Sequence, residues 1–153
     1  MAEHGAGIHW ERGGQDFLDR RYSRAYTLRL DGGLSLPGSA SPHLVPLPMS
    51  RPDALDPEEA FVAALAGCHM LWFLDIACRA GWCVDAYDDA AVGLLAKNAE
   101  GRLAMTRVTL RPRVAFAGAD APDTLEVQRL HHEAHEACFI AQSVKTEVVV
   151  EPA

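Results

Sequence analysis

Apolar residues follow one another almost without interruption over residues 60–74, and this run is the clearest pattern in the chain. Asp56 stands before the run as a suitable N-cap, and Pro57 suits the first position of a helix. A glutamate three residues after Asp56 completes the pattern of a capping box. We therefore predict a helix from Pro57 to about residue 80, ended by Gly81.

The predicted helix is apolar on nearly every side, which is typical of a helix that is buried on every side. In a chain of this length, one side would need a sheet and the other a further surface, such as a second copy of the chain. The 15-residue apolar run is shorter than the about 20 residues of a membrane span, and it contains His69. We predict a core helix and no membrane partner.

The residues before this helix indicate strands and turns. Residues 24–30 alternate between polar and apolar side chains and lead into the turn signal Asp31-Gly32-Gly33, so residues 34–36 are predicted to form the returning strand. The segment 37–57 contains six prolines, which exclude a regular helix or a central strand. We predict an irregular arm there.

The residues after the helix indicate a sheet and a second helix. We predict strands over residues 89–97 and 103–117, joined by a turn at Asn98-Ala-Glu-Gly101. A helical stripe predicts a helix over residues 122–138, and β-branched residues predict a last strand over 143–150. Alternation in the long strand suits an antiparallel sheet with one wet face. The predicted fold class is α+β, a single domain over residues 1–153 in which curved antiparallel sheets pack on two main helices.

Composition and charge narrow the function classes. Of the 153 residues, 49% are apolar and 23% charged, which is typical of a globular protein. The net charge of −7 argues against a nucleic-acid partner, because phosphate binding needs a basic surface. The N-terminal residues do not have the pattern of a signal peptide, so we expect a cytoplasmic protein with reduced thiols. Four cysteines are too few for a disulfide scaffold.

Two cysteines occupy notable positions. Cys68 lies inside the first helix and Cys138 at the end of the second, whereas Cys78 and Cys83 lie near the exit of the first helix. Buried cysteine is usually inert, and reactivity requires a cation or a helix N-terminus that stabilises the thiolate. Cys68 is some three turns into its helix, so it would need an arginine or histidine from elsewhere.

Histidines cluster in the second predicted helix. His131, His132, His135 and Cys138 follow one another at spacings of about three and four, which brings several of them to one helical face. Imidazole and thiolate suit zinc, but the spacing is not that of an established zinc motif. A solvated or interfacial histidine face is the simpler interpretation, and no metal or other cofactor is predicted.

Two motifs together resemble the OsmC/Ohr family of thiol-dependent hydroperoxide reductases. The first runs from Asp56-Pro-Glu-Glu to Ala66-Gly-Cys68-His69, with ten residues from Glu58 to Cys68. The second is Ala134-His-Glu-Ala-Cys138-Phe-Ile-Ala-Gln-Ser143. The order of the predicted elements also resembles the family from Trp10 to Val150. The resemblance implies an OsmC-like fold in an intertwined homodimer.

The resemblance also implies an activity and its residues. Cys68 would be the peroxidatic cysteine, which an organic hydroperoxide oxidises to a sulfenic acid, and Cys138 would resolve it as a disulfide. An external dithiol, lipoyl-type in one branch, would reduce that disulfide. Glu58 would hold an arginine against the Cys68 thiolate. Arg24 is our first choice for that arginine, while Arg21 and Arg51 remain alternatives.

Helix geometry limits how Glu58 can serve Cys68. Ten helical residues rise about 15 Å, so the two side chains cannot meet along one straight helix. Either the helix breaks near Gly67, or the carboxylate near each Cys68 comes from the other subunit. We predict that the site lies at a dimer interface.

Two other functions stay open at this point. One is a metal-binding protein that uses His69, His131, His132, His135 and the cysteines. The other is a redox-inactive protein of the same fold that binds a small apolar molecule. A depressed pKa of the Cys68 thiol would favour the peroxidase over the latter.

Overall fold

The computed structural model of the protein describes residues 1–118 and 121–152. The chain divides into two compact units, residues 1–60 and 61–153. The first long helix, α1 (Pro57–Arg79), runs through the boundary between them. The single domain stays a prediction.

The first unit contains a three-stranded antiparallel sheet. Its strands are β1 (Ala6–His9), β2 (Tyr26–Leu30) and β3 (Ser35–Gly38), and β2 lies between the other two. The turn between β2 and β3 has Gly33 at a φ of +88°, a conformation that glycine adopts without steric cost. The predicted strand and its returning partner are confirmed, whereas β1 was not predicted.

The proline-rich arm follows β3 and contains turns in place of a helix or strand. Its two ends are joined by backbone hydrogen bonds, from Ser39 N to Leu55 O at 3.1 Å and from Leu55 N to Pro37 O at 3.0 Å. Ser39, Ser41 and Ser50 are buried within the first unit. The prediction of an irregular arm is confirmed.

The start of α1 has the predicted capping box. The Asp56 carboxylate accepts a hydrogen bond from the Glu59 backbone N–H at 2.7 Å, and the Glu59 carboxylate accepts one from Asp56 N–H at 3.3 Å. These two bonds satisfy amide groups that a helix start leaves free. The helix continues through Gly67, so the break considered above is absent.

The end of α1 is a Schellman motif. Gly81 has a φ of +86° and its N–H donates to the Cys78 carbonyl at 3.0 Å, while Trp82 N–H donates to the Ala77 carbonyl at 2.9 Å. The Trp82 side chain packs on the buried cluster that contains Ala77. Gly81 thus ends the helix as predicted, with the last helical residue at Arg79.

The second unit contains five strands in two sheets. They are β4 (Val84–Asp89), β5 (Val92–Lys97), β6 (Leu103–Leu110), β7 (Pro112–Phe116) and β8 (Glu147–Val150). β4 pairs with β7 in an antiparallel two-stranded sheet. In the other sheet β6 lies between β5, which is antiparallel to it, and β8, which is parallel. The predicted antiparallel sheets are confirmed, and β6 and β8 add one parallel pair.

The predicted long strand over residues 103–117 is wrong as a single strand. It divides at Arg111, whose backbone N–H donates to the Asp89 carboxylate at 2.7 Å instead of joining a ladder. Pro112, which has no N–H to donate, then opens β7 in the other sheet. The strand predicted over residues 89–97 is likewise two elements, since 89 ends β4 and β5 begins at 92.

Two further helices complete the second unit, α2 (Thr124–Ala137) and α3 (Phe139–Gln142). Asp123 caps α2 by accepting a hydrogen bond from Glu126 N–H at 2.8 Å. One buried cluster joins α1 to α2 through Phe73, Ile76, Ala77, Leu130 and Ala134. A second cluster places Leu65 of α1 against Val108 and Leu110 of β6. The prediction of two main helices packed on sheets is confirmed.

The described chain covers only one face of α1. Leu65, His69, Phe73, Ile76 and Ala77 are buried, whereas Ala63, Ala64 and Leu71 are exposed. By length and composition alone, α1 is long and apolar enough to span a membrane. Core helices of soluble proteins pass the same test, and an uncovered apolar face is typical of an interface with another molecule.

Candidate active site

The two thiols singled out in the sequence lie against each other in the second unit. Cys68 is half-buried in α1, and it lies near enough to the Cys138 thiol to help raise the pKa of Cys138. Cys138 occupies the junction of α2 and α3, where it caps α3 by accepting a hydrogen bond from Ala141 N–H at 3.5 Å. Both cysteines are free thiols. The fold therefore brings two free thiols close together.

Burial separates the chemistry of the two thiols. Only 1% of Cys138 is exposed, and this burial, together with the neighbouring Cys68 thiol, raises the pKa of Cys138 to about 11. Cys138 is consequently a protonated thiol at neutral pH. Cys68 is the more accessible of the two, so an incoming oxidant meets Cys68 first.

Cys68 faces an open apolar groove of about 570 Å³ in the second unit. The α1 side of the groove includes Leu71 and Trp72, and the α3 side includes Phe139. The Phe139 ring and the Trp72 indole lie edge to face with their centroids 6.4 Å apart. Asp75 lies at one margin and forms an ion pair with Arg79 at 2.6 Å. An apolar wall beside a thiol suits a substrate with a hydrocarbon body.

The histidine cluster lies on the buried side of α1. His69 and His131 are 1% and 3% exposed, and a hydrogen bond of 3.0 Å joins His69 Nε2 to His131 Nδ1. Burial, with smaller contributions from His131 and His135, lowers the pKa of His69 to about 4, and burial alone lowers the pKa of His131 to about 4. Both imidazoles are therefore neutral at pH 7.

The same cluster does not form a metal centre. Within residues 1–118 and 121–152, no three histidine, cysteine or carboxylate side chains are arranged to hold a metal ion. His132 is exposed, and the His69–His131 hydrogen bond occupies one ring nitrogen of each of those two residues. No observation thus favours the metal-binding function.

The remaining predicted residues belong to the first unit. One Glu58 carboxylate oxygen is buried and has no hydrogen-bond partner among the described residues. The Arg24 guanidinium lies 3.8 Å over the Tyr22 ring and donates to the Tyr22 carbonyl. Arg51 forms an ion pair with Asp53 at 2.7 Å, and Arg21 uses its backbone N–H to bond Asp19. The roles of Glu58 and of these arginines at Cys68 stay predictions.

Sequence reasoning did not identify the groove or the histidine pair. Leu71 and Trp72 stand three and four residues after Cys68, a spacing that brings them to the same helical face as the thiol. This spacing could have predicted the apolar groove beside Cys68. The partner of His69 was not readable, because the pair joins residues 62 positions apart.

Comparison with known proteins gives a consistent result. The family model described as OsmC-like protein matches residues 50–153. No protein of curated function matches the chain. An OsmC-like protein of unknown function from Vibrio cholerae has 51% sequence identity, with 100% of both chains covered and a TM-score of 0.98.

Two more distant structures share the fold. The organic hydroperoxide resistance protein of Elizabethkingia anophelis is 18% identical, with 99% of this chain and 94% of that chain covered and a TM-score of 0.71. The organic hydroperoxide resistance protein OhrB of Bacillus subtilis is 20% identical, with 99% and 98% covered and a TM-score of 0.69. These similarities confirm the predicted α+β, OsmC-like fold.

Proposed function

This chain belongs to the OsmC-like protein family, and we propose that it is a thiol-dependent peroxidase that reduces organic hydroperoxides. One observation carries the proposal: the Cys68 thiol lies near the Cys138 thiol and lines an apolar groove. Some structural neighbours are named organic hydroperoxide resistance proteins, which supports the same class of substrate.

The proposed reaction has two covalent steps on the protein. The Cys68 thiolate attacks the terminal peroxide oxygen, so the O–O bond breaks, an alcohol leaves with a proton from solvent, and Cys68 becomes a sulfenic acid. The Cys138 thiol then attacks the Cys68 sulfur. Its proton and the sulfenic hydroxyl leave as water, and a Cys68–Cys138 disulfide remains. An external dithiol, lipoyl-type in our proposal, returns both cysteines to thiols by exchange.

The high pKa of Cys138 suits its proposed second role. A protonated thiol competes poorly for peroxide, because the thiolate is the nucleophile. Cys138 therefore reacts only after Cys68 has been oxidised. We propose that this activity belongs in the cytoplasm, where dithiol reductants are available.

We further propose that the working unit is a homodimer. Leu71 and Phe139, which flank the groove, are 64% and 61% exposed in the single chain. A second copy would cover this apolar surface. Glu58 and Arg24 of that copy would complete each site, and the unpartnered Glu58 oxygen would then receive the arginine.

Single-turnover oxidation tests the peroxidase. One equivalent of cumene hydroperoxide should convert the reduced wild-type protein to the Cys68–Cys138 disulfide, measured by peptide mapping. Cys68→Ser should lose this reaction by about a thousandfold or more, because it removes the nucleophile. Cys83→Ser, which alters an exposed thiol outside the groove, serves as the matched control. Wild-type protein that leaves the hydroperoxide intact would contradict the proposal.

Mixed dimers test the shared site. Glu58→Gln and Cys68→Ser proteins are each expected to be nearly inactive. If Glu58 acts on the other subunit, unfolding and refolding them together should restore about a quarter of the wild-type activity, since half of the dimers then hold one intact site. Mixtures no more active than the separate variants would show that Glu58 does not act across an interface.

A further inference from the structure

The hydrogen bond between His69 and His131 has no task in the proposed reaction. Both rings are buried, and Phe73 stacks on His131 with ring centroids 4.3 Å apart. One nitrogen of each ring, His69 Nδ1 and His131 Nε2, is buried without a hydrogen-bond partner among the described residues. An apolar pair of similar size would satisfy the core without these uncompensated groups. The histidines are thus costly for packing alone.

The position of this bond connects it to the redox pair. His69 directly follows Cys68 in α1, and His131 lies seven residues, or two helical turns, before Cys138 in α2. Within the described chain, no other side-chain hydrogen bond joins a residue of α1 to a residue of α2. The neighbouring contacts between the two helices are apolar and have no strong directional preference.

We propose that the His69–His131 hydrogen bond is a pH-sensitive clamp that fixes α1 against α2 and so sets the approach of Cys68 to Cys138. The two histidines are positioning residues, because within the described chain no hydrogen bond joins either ring to Cys68 or Cys138. The inference deepens the proposed function by naming a regulation of the same thiol pair.

Disulfide geometry explains why such a clamp would matter. A disulfide requires an S–S distance of about 2.05 Å and a narrow range of Cα separations, so a small shift of one helix changes the ease of closure. Effective concentrations of paired groups depend strongly on such positioning. A directional hydrogen bond beside the thiols restricts sliding that apolar contacts would permit.

The surroundings of the pair explain its response to acid. When both rings are neutral, one donates and the other accepts. A proton added to the acceptor nitrogen removes the bond, whereas a proton added to the outer nitrogen of the donating ring leaves the bond in place. Either proton places a charge in a buried site. The titratable groups facing it are His135 on α2 and Tyr87 on β4, with Asp89 beside Tyr87. One Asp89 oxygen accepts a hydrogen bond from Arg111 N–H, while the other is buried without a hydrogen-bond partner among the described residues.

The test measures the disulfide without any hydroperoxide. The full chain is equilibrated in glutathione redox buffers at pH 7, and the Cys68–Cys138 disulfide is quantified after acid quenching. We expect His69→Leu/His131→Leu, which keeps the interior apolar, to lower the effective thiol concentration about tenfold while remaining folded. The matched control is His132→Leu, which changes an exposed histidine one residue away and should stay within about twofold of wild type. A double variant with the wild-type equilibrium would overturn the proposal.

A second measurement needs no variant. If protonation and disulfide closure are coupled, linkage requires the imidazole pKa values of His69 and His131 to differ between the reduced and the oxidised wild-type protein. NMR titration of the two rings in both redox states measures this difference. Identical titration curves would overturn the clamp, and so would the absence of a Cys68–Cys138 disulfide in oxidised glutathione.

These experiments separate the clamp from the peroxidase. A glutathione equilibrium that responds to the histidines, in a protein that leaves cumene hydroperoxide unreduced, would retain the clamp and reject the peroxidase. If cumene hydroperoxide rapidly forms the disulfide but the double variant has the wild-type glutathione equilibrium, the peroxidase would be retained and the clamp rejected.

Discussion

Cys68 and His69 are consecutive residues of α1, yet they belong to opposite environments. Cys68 faces an open apolar groove, whereas His69 is 1% exposed and bonded to a second buried imidazole. The cause is the helical rotation of about 100° per residue, which turns adjacent side chains to different faces. One helix can thus leave the Cys68 thiol accessible on one face while the neighbouring His69 side chain is held in the interior on another.

The two faces also differ in what surrounds them. The buried face packs on α2 and on the sheets through Phe73 and Leu65, so each change there disturbs a filled interior. The groove face has exposed Leu71 and Phe139 and fewer neighbours within the chain. Substitutions on the two faces should therefore act on different quantities, stability on one side and association or reactivity on the other.

The largest expected difference is in stability. Phe73→Ala should lower the free energy of unfolding by about 3–5 kcal/mol, because Phe73 is fully buried and its removal leaves a cavity. Leu71→Ala, the matched change on the groove face, should cost much less within one subunit and should instead weaken self-association. Urea unfolding at a fixed protein concentration and analytical ultracentrifugation measure the two effects. Equal losses of unfolding free energy would break the comparison.

Acid should act mainly on the buried face. The unfolded chain takes up protons on histidine below a pH of about 6.5, whereas burial lowers the pKa of His69 and His131 to about 4 in the folded chain. The unfolded state therefore binds more protons between these pH values, and stability falls as the pH falls through them. We expect uptake of the first proton to lower the free energy of unfolding by about 3 kcal/mol between pH 6.5 and 4.

Urea unfolding curves recorded across this pH range measure the acid effect. The control is His69→Leu/His131→Leu, which should have a flatter pH dependence than wild type because the two titrating groups are gone. A double variant as acid-sensitive as wild type would show that other groups carry the effect.

The reactivity of buried Cys138 should differ from that of an exposed thiol by a free energy slightly smaller than the acid effect on stability. Burial raises the pKa of Cys138 to about 11, about two units above an ordinary thiol, so its thiolate fraction at pH 8 should be about a hundredfold lower. Iodoacetamide labelling followed by mass spectrometry should modify the exposed Cys78 and Cys83 first and Cys138 last. Early modification of Cys138 in folded protein would show that its site is open.

The smallest expected effect concerns the start of α2, the helix that carries His131 and ends just before Cys138. Asp123→Ala removes the side chain that accepts from Glu126 N–H and should cost about 1 kcal/mol. Asp123→Asn keeps an acceptor at the cap and should restore most of that loss. Thermal unfolding of the two variants measures the difference, and equal melting temperatures would show that the cap contributes nothing.

Local signals predicted the ends of the elements well. The capping box at Asp56, the glycine stop at Gly81 and the turn that ends at Gly101 are all present, because each depends on residues within a few positions of one another. The second helix was predicted within two residues of its observed bounds. The OsmC-like fold followed from two motifs of the same local kind.

Pairings between distant residues were predicted less well. Alternation continued through Arg111, so the sequence offered one long strand where the chain changes from one sheet to another. The Asp89 carboxylate that receives Arg111 N–H comes from 22 residues away. Likewise, β8 was recognised as a strand, but its parallel pairing with β6 is a property of the assembled sheet.

By itself, the sequence determined where α1 and α2 begin and end and which cysteines they carry, since caps and apolar periodicity act over a few residues. Only the tertiary structure decided that Cys138 lies near Cys68 and that burial raises the pKa of Cys138. It also decided that His69 forms a hydrogen bond with His131. The physical reason is that desolvation and side-chain contact depend on every element packed around a residue. Residues that are neighbours in the sequence therefore do not reveal which side chains will be desolvated or in contact.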